Sequence, residues 1–120
     1  MMIDKERTSE KHVLIVNDTR IDNHYGCYAV MNSILGLLHK NNMRAHCSWP
    51  AHLDWRNNSA FEKNLVGADL ILVNGEGTIH HDRQAGKRLL EIGAKARSKG
   101  IPCALINTGW EANSQNLVRL

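Results

Sequence analysis

Four short strand-like segments, separated by segments with helical periodicity, are the feature that most constrains the fold of this chain. They cover residues 12–17, 44–49, 69–74 and 103–107, and the second is the weakest because it is only partly apolar. The first and third are nearly continuously apolar and contain β-branched residues, which is typical of strands buried on both faces of a parallel sheet. Strands that alternate with helices predict right-handed crossovers, so we expect an α/β, Rossmann-like three-layer sandwich with a parallel sheet of about four strands.

The segments between these runs have the residue spacing of amphipathic helices. The predicted helices cover about 26–40, 59–66 and 83–99, and a further helix is expected to begin near residue 111. Ser59 and Glu62 have the spacing of a capping box, so Ser59 is the predicted N-cap of the second helix. The run at 69–74 is apolar at four consecutive positions, which places the third strand at the centre of the predicted sheet.

Length and composition are those of one globular domain. The chain has 120 residues, of which 42% are hydrophobic and 22% are charged. No apolar run approaches the roughly 18 residues that a membrane helix needs, so no membrane span is predicted. The formal net charge of +3 is small and scattered. This charge suits small anionic ligands, and we predict no nucleic-acid partner.

The start of the chain and its cysteines predict a cytoplasmic protein. Residues 1–11 form a charged lead-in without the apolar core of a signal peptide, and residues 12–120 are predicted to fold as one domain. Cys27, Cys47 and Cys103 lack CxxC spacing, and three cysteines cannot all pair within the chain. We therefore predict reduced thiols. Cys27 near a helix start is either a thiol with a lowered pKa or a small buried residue.

Three of the predicted strands end in asparagine, at Asn17, Asn74 and Asn107. In an open parallel sheet, ligands bind beyond the carboxyl ends of the strands, so these asparagines are candidate substrate-binding residues. An asparagine at a strand end can bond a ligand, or it can bond the exposed backbone of its neighbours. The sequence leaves both roles open.

The loop that follows the first strand carries Asn23, His24 and Gly26, which we predict to bind substrate. Gly26 allows a close approach of the backbone, and the helix that follows offers free N–H groups to an anion. The GxGxxG fingerprint of dinucleotide binding is absent, and no cofactor is predicted. A long surface loop without a ligand is the alternative interpretation.

The loop after the third strand is the most informative segment. Gly75 and Gly77 allow a tight turn that exposes backbone amides, and Thr78 extends the predicted substrate-binding set. Glu76 lies between the glycines, where a carboxylate can act as acid, base or hydroxyl acceptor, and it is the candidate catalytic residue. His80, His81 and Asp82 suggest a metal hydrolase. Adjacent histidines usually point apart, however, and no third ligand lies at a recognisable spacing from them, so no metal is predicted.

The loop after the fourth strand places Gly109 and Trp110 beside Asn107. We include both in the predicted substrate-binding set, because a tryptophan at a strand end can stack on a sugar or a base. The same side chain can instead seal the sheet edge or pack on a neighbouring domain.

Three segments of the chain together resemble the polysaccharide pyruvyl transferase family. They are residues 23–30 at the first helix, 69–79 around the third strand, and 107–110 after the fourth. The resemblance runs from about residue 12 to the end. Cys27 stands where many members carry aspartate, and Asn74-Gly75-Glu76-Gly77 replaces a purer glycine run.

The resemblance implies a two-domain, GT-B-like enzyme of cell-surface polysaccharide biosynthesis, which transfers a pyruvyl group from phosphoenolpyruvate to a sugar. This chain would supply the N-terminal half, which binds the sugar or sugar-phosphate acceptor. A second domain or a second copy of the chain would complete the site, and the 120 residues alone are expected to be inactive. The alternatives are a non-catalytic nucleotide- or sugar-binding module and a glycosyltransferase-like domain.

Overall fold

The computed structural model describes residues 10–22, 25–76, 83–109 and 113, without the side chains of residues 21 and 22. The strands are β1 (Lys11–Val16), β2 (Met43–Trp49), β3 (Leu70–Asn74) and β4 (Cys103–Ile106). The helices are α1 (Tyr25–Lys40), α2 (Ser59–Leu65) and α3 (Gln84–Ser98), with a short 3₁₀ helix over Thr19–Asp22. The predicted helix after residue 111 lies outside the described residues apart from residue 113. All other predicted elements are confirmed to within about two residues at each end, which is the usual uncertainty of such boundaries.

The four strands form one parallel sheet in the order β2-β1-β3-β4. This confirms the predicted α/β class and the interior position of the third strand. β1 lies between β2 and β3. The chain first connects β1 to β2 on one side, and it then crosses over to form β3 on the other side of β1. The strand order reverses direction between β1 and β3. At such a switch point an open α/β sheet forms a crevice at its carboxyl edge.

Helices cover both faces of the sheet, which explains the continuous apolar runs of β1 and β3. On one face, α1 packs onto β1 and β3 through a cluster of buried residues comprising Val13, Ile15, Met31, Ile34, Leu38 and Leu72. On the other face, α2 and α3 pack onto the same strands through Leu14, Val16, Phe61, Leu65, Ile71, Val73, Leu89, Ile92 and Ala96. Successive residues of β1 therefore belong to different apolar layers.

Two tryptophans complete the second layer. The Trp49 ring meets the Phe61 ring edge-on, with centroids 5.2 Å apart, and the Trp55 centroid lies 5.5 Å from that of Phe61. The Trp55 indole N–H also donates a 2.7 Å hydrogen bond to the main-chain carbonyl of Arg88. The loop between β2 and α2 is therefore tied to the core and to α3.

The start of α2 differs from the prediction by one residue. Asn58, not Ser59, is the N-cap, and its side-chain oxygen accepts hydrogen bonds from the backbone N–H groups of Ala60 and Phe61. The predicted capping box is wrong, because Glu62 points across to α3 and pairs with Lys95 at 2.5 Å. Gly67, just beyond α2, has φ +80°, a conformation that glycine adopts without strain.

None of the helices in the described part of the chain combines the length and the apolar character that a membrane crossing requires.

Candidate functional site

The switch point between β1 and β3 is closed by two buried asparagines. The Asn17 side-chain amide donates to the main-chain carbonyl of Asn74 at 2.7 Å, and the Asn74 amide donates to the main-chain carbonyl of Asn17 at 3.2 Å. Asn17 is 5% exposed and Asn74 is 1% exposed. Because the strands are adjacent and parallel, their ends reach the same edge together, and each side chain satisfies backbone groups that the sheet leaves unpaired.

Asn107 joins this pair from the end of β4. Its side-chain amide donates to Asn74 Oδ1 at 3.2 Å, and the backbone N–H of Glu76 donates to the same oxygen at 3.2 Å. Asn17 and Asn107 have φ +69° and +51°, the left-handed region that asparagine tolerates better than most residues. The sequence leaves two roles open for these asparagines, ligand binding and hydrogen bonding to neighbouring parts of the chain. These hydrogen bonds show the second role.

Glu76 is held at this edge by a residue from the other side of the switch point. The hydroxyl of Thr19, in the 3₁₀ helix after β1, donates to Glu76 Oε2 at 2.9 Å. Thr19 is 3% exposed, and Glu76 is half-buried. The Thr19 bond orients the carboxylate, whose ionised oxygens act only as acceptors. The arrangement presents a positioned carboxylate that can accept a hydroxyl hydrogen bond or a proton.

The residues on either side of Thr19 form an ion pair. Arg20 Nε donates to Asp18 Oδ1 at 2.9 Å, and the Arg20 Nη2 group pairs with the second Asp18 oxygen. The hydrogen bond from Arg20 holds the pKa of Asp18 below its usual value, and Asp18 in turn raises the pKa of Arg20. These two residues line a depression of about 180 Å³ together with Ser48 and Pro50 at the end of β2.

Two exposed tyrosines lie in the first turn of α1, and the sequence reasoning missed them. Tyr25 is 94% exposed and Tyr28 is 43% exposed. The available signal was an aromatic pair with i, i+3 spacing directly after a ligand-side loop. Gly26, between them, has no atom within 4 Å of the position that a Cβ would take, so tight packing does not require glycine there.

The structure brings together most of the predicted site residues that it describes. Asn17, Asn74, Glu76 and Asn107 are joined by hydrogen bonds, and the backbone N–H of Gly75 donates to the Ile106 carbonyl at 2.9 Å. Gly26 and Gly109 lie in segments that begin at the same edge but take no described part in that network. The other predicted residues, Asn23, His24, Gly77, Thr78 and Trp110, lie outside the described residues.

Within ranges 10–22, 25–76 and 83–109, no group of three or more His, Cys, Asp or Glu side chains could hold a metal ion. The proposed hydrolase ligands His80, His81 and Asp82 lie outside the described residues. The three cysteines form no disulfide, and burial raises the pKa of the Cys47 thiol.

Comparison with known proteins gives no match: no protein-family model, no curated protein and no solved structure is similar to this chain. The case for a function therefore comes from the geometry of the carboxyl edge and from the three sequence segments described above.

Proposed function

We propose that this chain is the acceptor-binding, N-terminal domain of a polysaccharide pyruvyl transferase-like enzyme, which uses phosphoenolpyruvate to form a ketal on a sugar. The observation that carries the proposal is the Glu76 carboxylate, held by Thr19 at the switch point of a parallel sheet. In ketal formation two acceptor hydroxyl oxygens bond to C2 of phosphoenolpyruvate and the bond from C2 to the phosphate oxygen breaks. One hydroxyl proton goes to C3, which becomes the methyl group, and the other leaves with the phosphate. A positioned carboxylate beside those hydroxyls can bind them and act as the general base.

The charges at this edge favour the acceptor over the donor as the ligand of this domain. The Arg20 side chain is already bonded to both oxygens of Asp18, and Thr19 between them is bonded to a second carboxylate, that of Glu76. A polyhydroxy sugar can donate hydrogen bonds to such groups, whereas phosphoenolpyruvate brings a phosphate and a carboxylate of its own. Transfer of an anionic group needs positioned cations, which we assign to a second domain or a second copy of the chain.

The test is calorimetric titration of the chain with methyl glycosides of glucose, galactose and mannose, and separately with phosphoenolpyruvate. We expect saturable binding of at least one glycoside. Glu76→Gln should weaken that binding by about 1–3 kcal/mol, since a neutral amide replaces the charged acceptor. Phosphoenolpyruvate alone should bind weakly or not at all.

The matched control is Glu91→Gln, the same substitution on α3, where the carboxylate lies 3.8 Å from Arg56. This variant should bind glycosides like the wild type. Unchanged affinity in Glu76→Gln would make Glu76 a turn residue, and tight binding of phosphoenolpyruvate without any glycoside would reverse the assignment of acceptor and donor.

A further inference from the structure

The edge strand β2 contains a β-bulge at His46. Val13 of β1 pairs with Ala45, but the next residue of β1, Leu14, pairs with Cys47, so His46 has no residue opposite it in the ladder. Consecutive side chains of a regular strand point to opposite faces of the sheet. A bulge bends the strand and changes the direction of a side chain. In β2 it brings the side chains of His46 and Cys47 into contact.

The His46 ring lies between a backbone carbonyl and the Cys47 thiol. Its Nδ1 is 3.1 Å from the Val13 carbonyl oxygen, and its Nε2 is 3.1 Å from Cys47 Sγ. A carbonyl oxygen can only accept, so Nδ1 carries the proton of the neutral ring and Nε2 is left as an acceptor. The thiol therefore donates to Nε2. The Asn64 carbonyl, 3.6 Å from Sγ, is the more distant acceptor.

This arrangement has the three parts of an activated nucleophile. A thiol lies within hydrogen-bond reach of an imidazole, and a third group fixes the tautomer and the orientation of the ring. Burial raises the pKa of the Cys47 thiol, so the resting group is the protonated thiol and a base must take the proton as the sulfur reacts. His46 Nε2 is in place to do so. Both residues are only partly buried, which leaves them open to a small reagent.

We propose that Cys47 is a peroxide-reactive cysteine, with His46 as its proton shuttle. The Cys47 sulfur attacks one oxygen of hydrogen peroxide, the O–O bond breaks and an S–O bond forms. The thiol proton moves through His46 Nε2 to the second oxygen, which leaves as water. The sulfur is oxidised by two electrons to a sulfenic acid, and the peroxide is reduced. The reaction does not involve Glu76, so it is independent of the proposed function.

A cysteine and a histidine can also bind a metal, but a zinc site needs three or four protein ligands. The His12 ring packs beside His46, with the ring centroids 5.5 Å apart. Even so, no group of three His, Cys, Asp or Glu side chains among the residues that the structure describes could hold a metal ion. The contact between His46 and Cys47 is therefore assigned to proton transfer.

The experiment compares two thiols of the whole chain in one reaction. The reduced protein is treated with hydrogen peroxide in the presence of dimedone, which traps sulfenic acids, and labelling at each cysteine is followed by peptide mass spectrometry. Cys103 is the internal reference, because burial also raises the pKa of its thiol but no described hydrogen bond joins it to an imidazole. Cys47 should be labelled about tenfold faster than Cys103, or more, because only Cys47 has a base.

The matched variants are His46→Asn and His12→Asn. His46→Asn removes Nε2 but keeps an amide that can donate to the Val13 carbonyl, so labelling of Cys47 should slow by about tenfold while that of Cys103 stays the same. His12→Asn removes the neighbouring ring without touching the contact between His46 and Cys47, and it should leave both rates unchanged.

Equal labelling of Cys47 and Cys103 in the wild-type chain would overturn the proposal, and this comparison does not depend on the folding of any variant. An unchanged rate at Cys47 in folded His46→Asn would also overturn it, because His46 would then have no part in the reaction. Protection of Cys47 by added zinc, lost in both histidine variants, would make this cluster a metal site and contradict the proton shuttle.

Discussion

Thr19 and Glu76 are 57 positions apart, which is the separation that aligns β1 with β3 throughout their ladder. Val13 pairs with Leu70 at this offset, and the side-chain bonds of Asn17 with Asn74 continue it beyond the strands. The Thr19–Glu76 hydrogen bond is thus the next rung of the same register, made by side chains where the backbone ladder has ended. The position of Glu76, the candidate base, is therefore tied to the two central strands.

Thr19→Val should uncouple Glu76 from this register while keeping the shape of the side chain. We expect glycoside affinity to fall, because the carboxylate loses the 2.9 Å donor that helps to orient it. The free energy of unfolding should drop by about 0.5–1.5 kcal/mol, the usual contribution of one hydrogen bond. Thr108→Val is the control, since the Thr108 hydroxyl bonds only locally, to the Gly109 carbonyl, among its described contacts. Wild-type affinity in Thr19→Val would mean that Glu76 needs no support from β1.

Asn74→Ala should be strongly destabilising. The substitution removes the partner of the Asn17 carbonyl, the Glu76 N–H and the Asn107 amide at a position that is 1% exposed. Because unsatisfied buried polar groups are costly, we expect a loss of about 2–4 kcal/mol in the free energy of unfolding, measured by urea denaturation. Asn41→Ala removes an exposed amide that donates to the Leu37 carbonyl, and it should change stability by less than about 1 kcal/mol. Equal losses in the two variants would contradict a special role for the edge network.

Asp18→Asn should make stability depend less on pH. Arg20 lowers the pKa of Asp18 in the folded state, so this pair stabilises the fold above the unfolded pKa of about 3.9. That stabilisation is lost as the pH falls through the lowered folded pKa. We therefore expect the wild type to be more stable at pH 7 by up to about 1 kcal/mol, since Arg20 is partly exposed, and the two proteins to converge once the pH falls below the lowered pKa of Asp18. A stability difference between the two proteins that persists undiminished at acidic pH would indicate an effect of packing and not of charge. Added salt should reduce the stability difference at pH 7.

The N-cap of α2 distinguishes the structure from the capping-box prediction. Asn58→Ala should lower the free energy of unfolding by about 1 kcal/mol, because the side chain caps two backbone N–H groups. Ser59→Ala should change it by less than about 0.5 kcal/mol, since Ser59 is the first helical residue. Thermal denaturation of both variants measures this directly, and the opposite ranking would restore Ser59 as the cap.

The sequence alone predicted the architecture, because the architecture depends on local patterns. The apolar stretches within 12–17 and 69–74 are buried on both sides by helices, and that requirement is visible in the residue types themselves. The helix periods and the left-handed positions at Gly67 and Gly100 are likewise properties of a few neighbouring residues. The sequence also shows three asparagines at the ends of predicted strands, and these ends form the carboxyl edge of the sheet.

Only the tertiary structure decided what those residues do. Strand order and register are long-range properties, set by the packing of helices on the sheet, and no short window of sequence contains the offset that brings Thr19 to Glu76. The same holds for the N-cap at Asn58, because Glu62 was drawn away by Lys95 on another helix. The exposure of Tyr25 depends on how α1 lies on the sheet, since an aromatic residue in a helical stripe is equally compatible with the core. Side-chain roles at the site follow from contacts between distant segments, and such contacts exist only once the chain is folded.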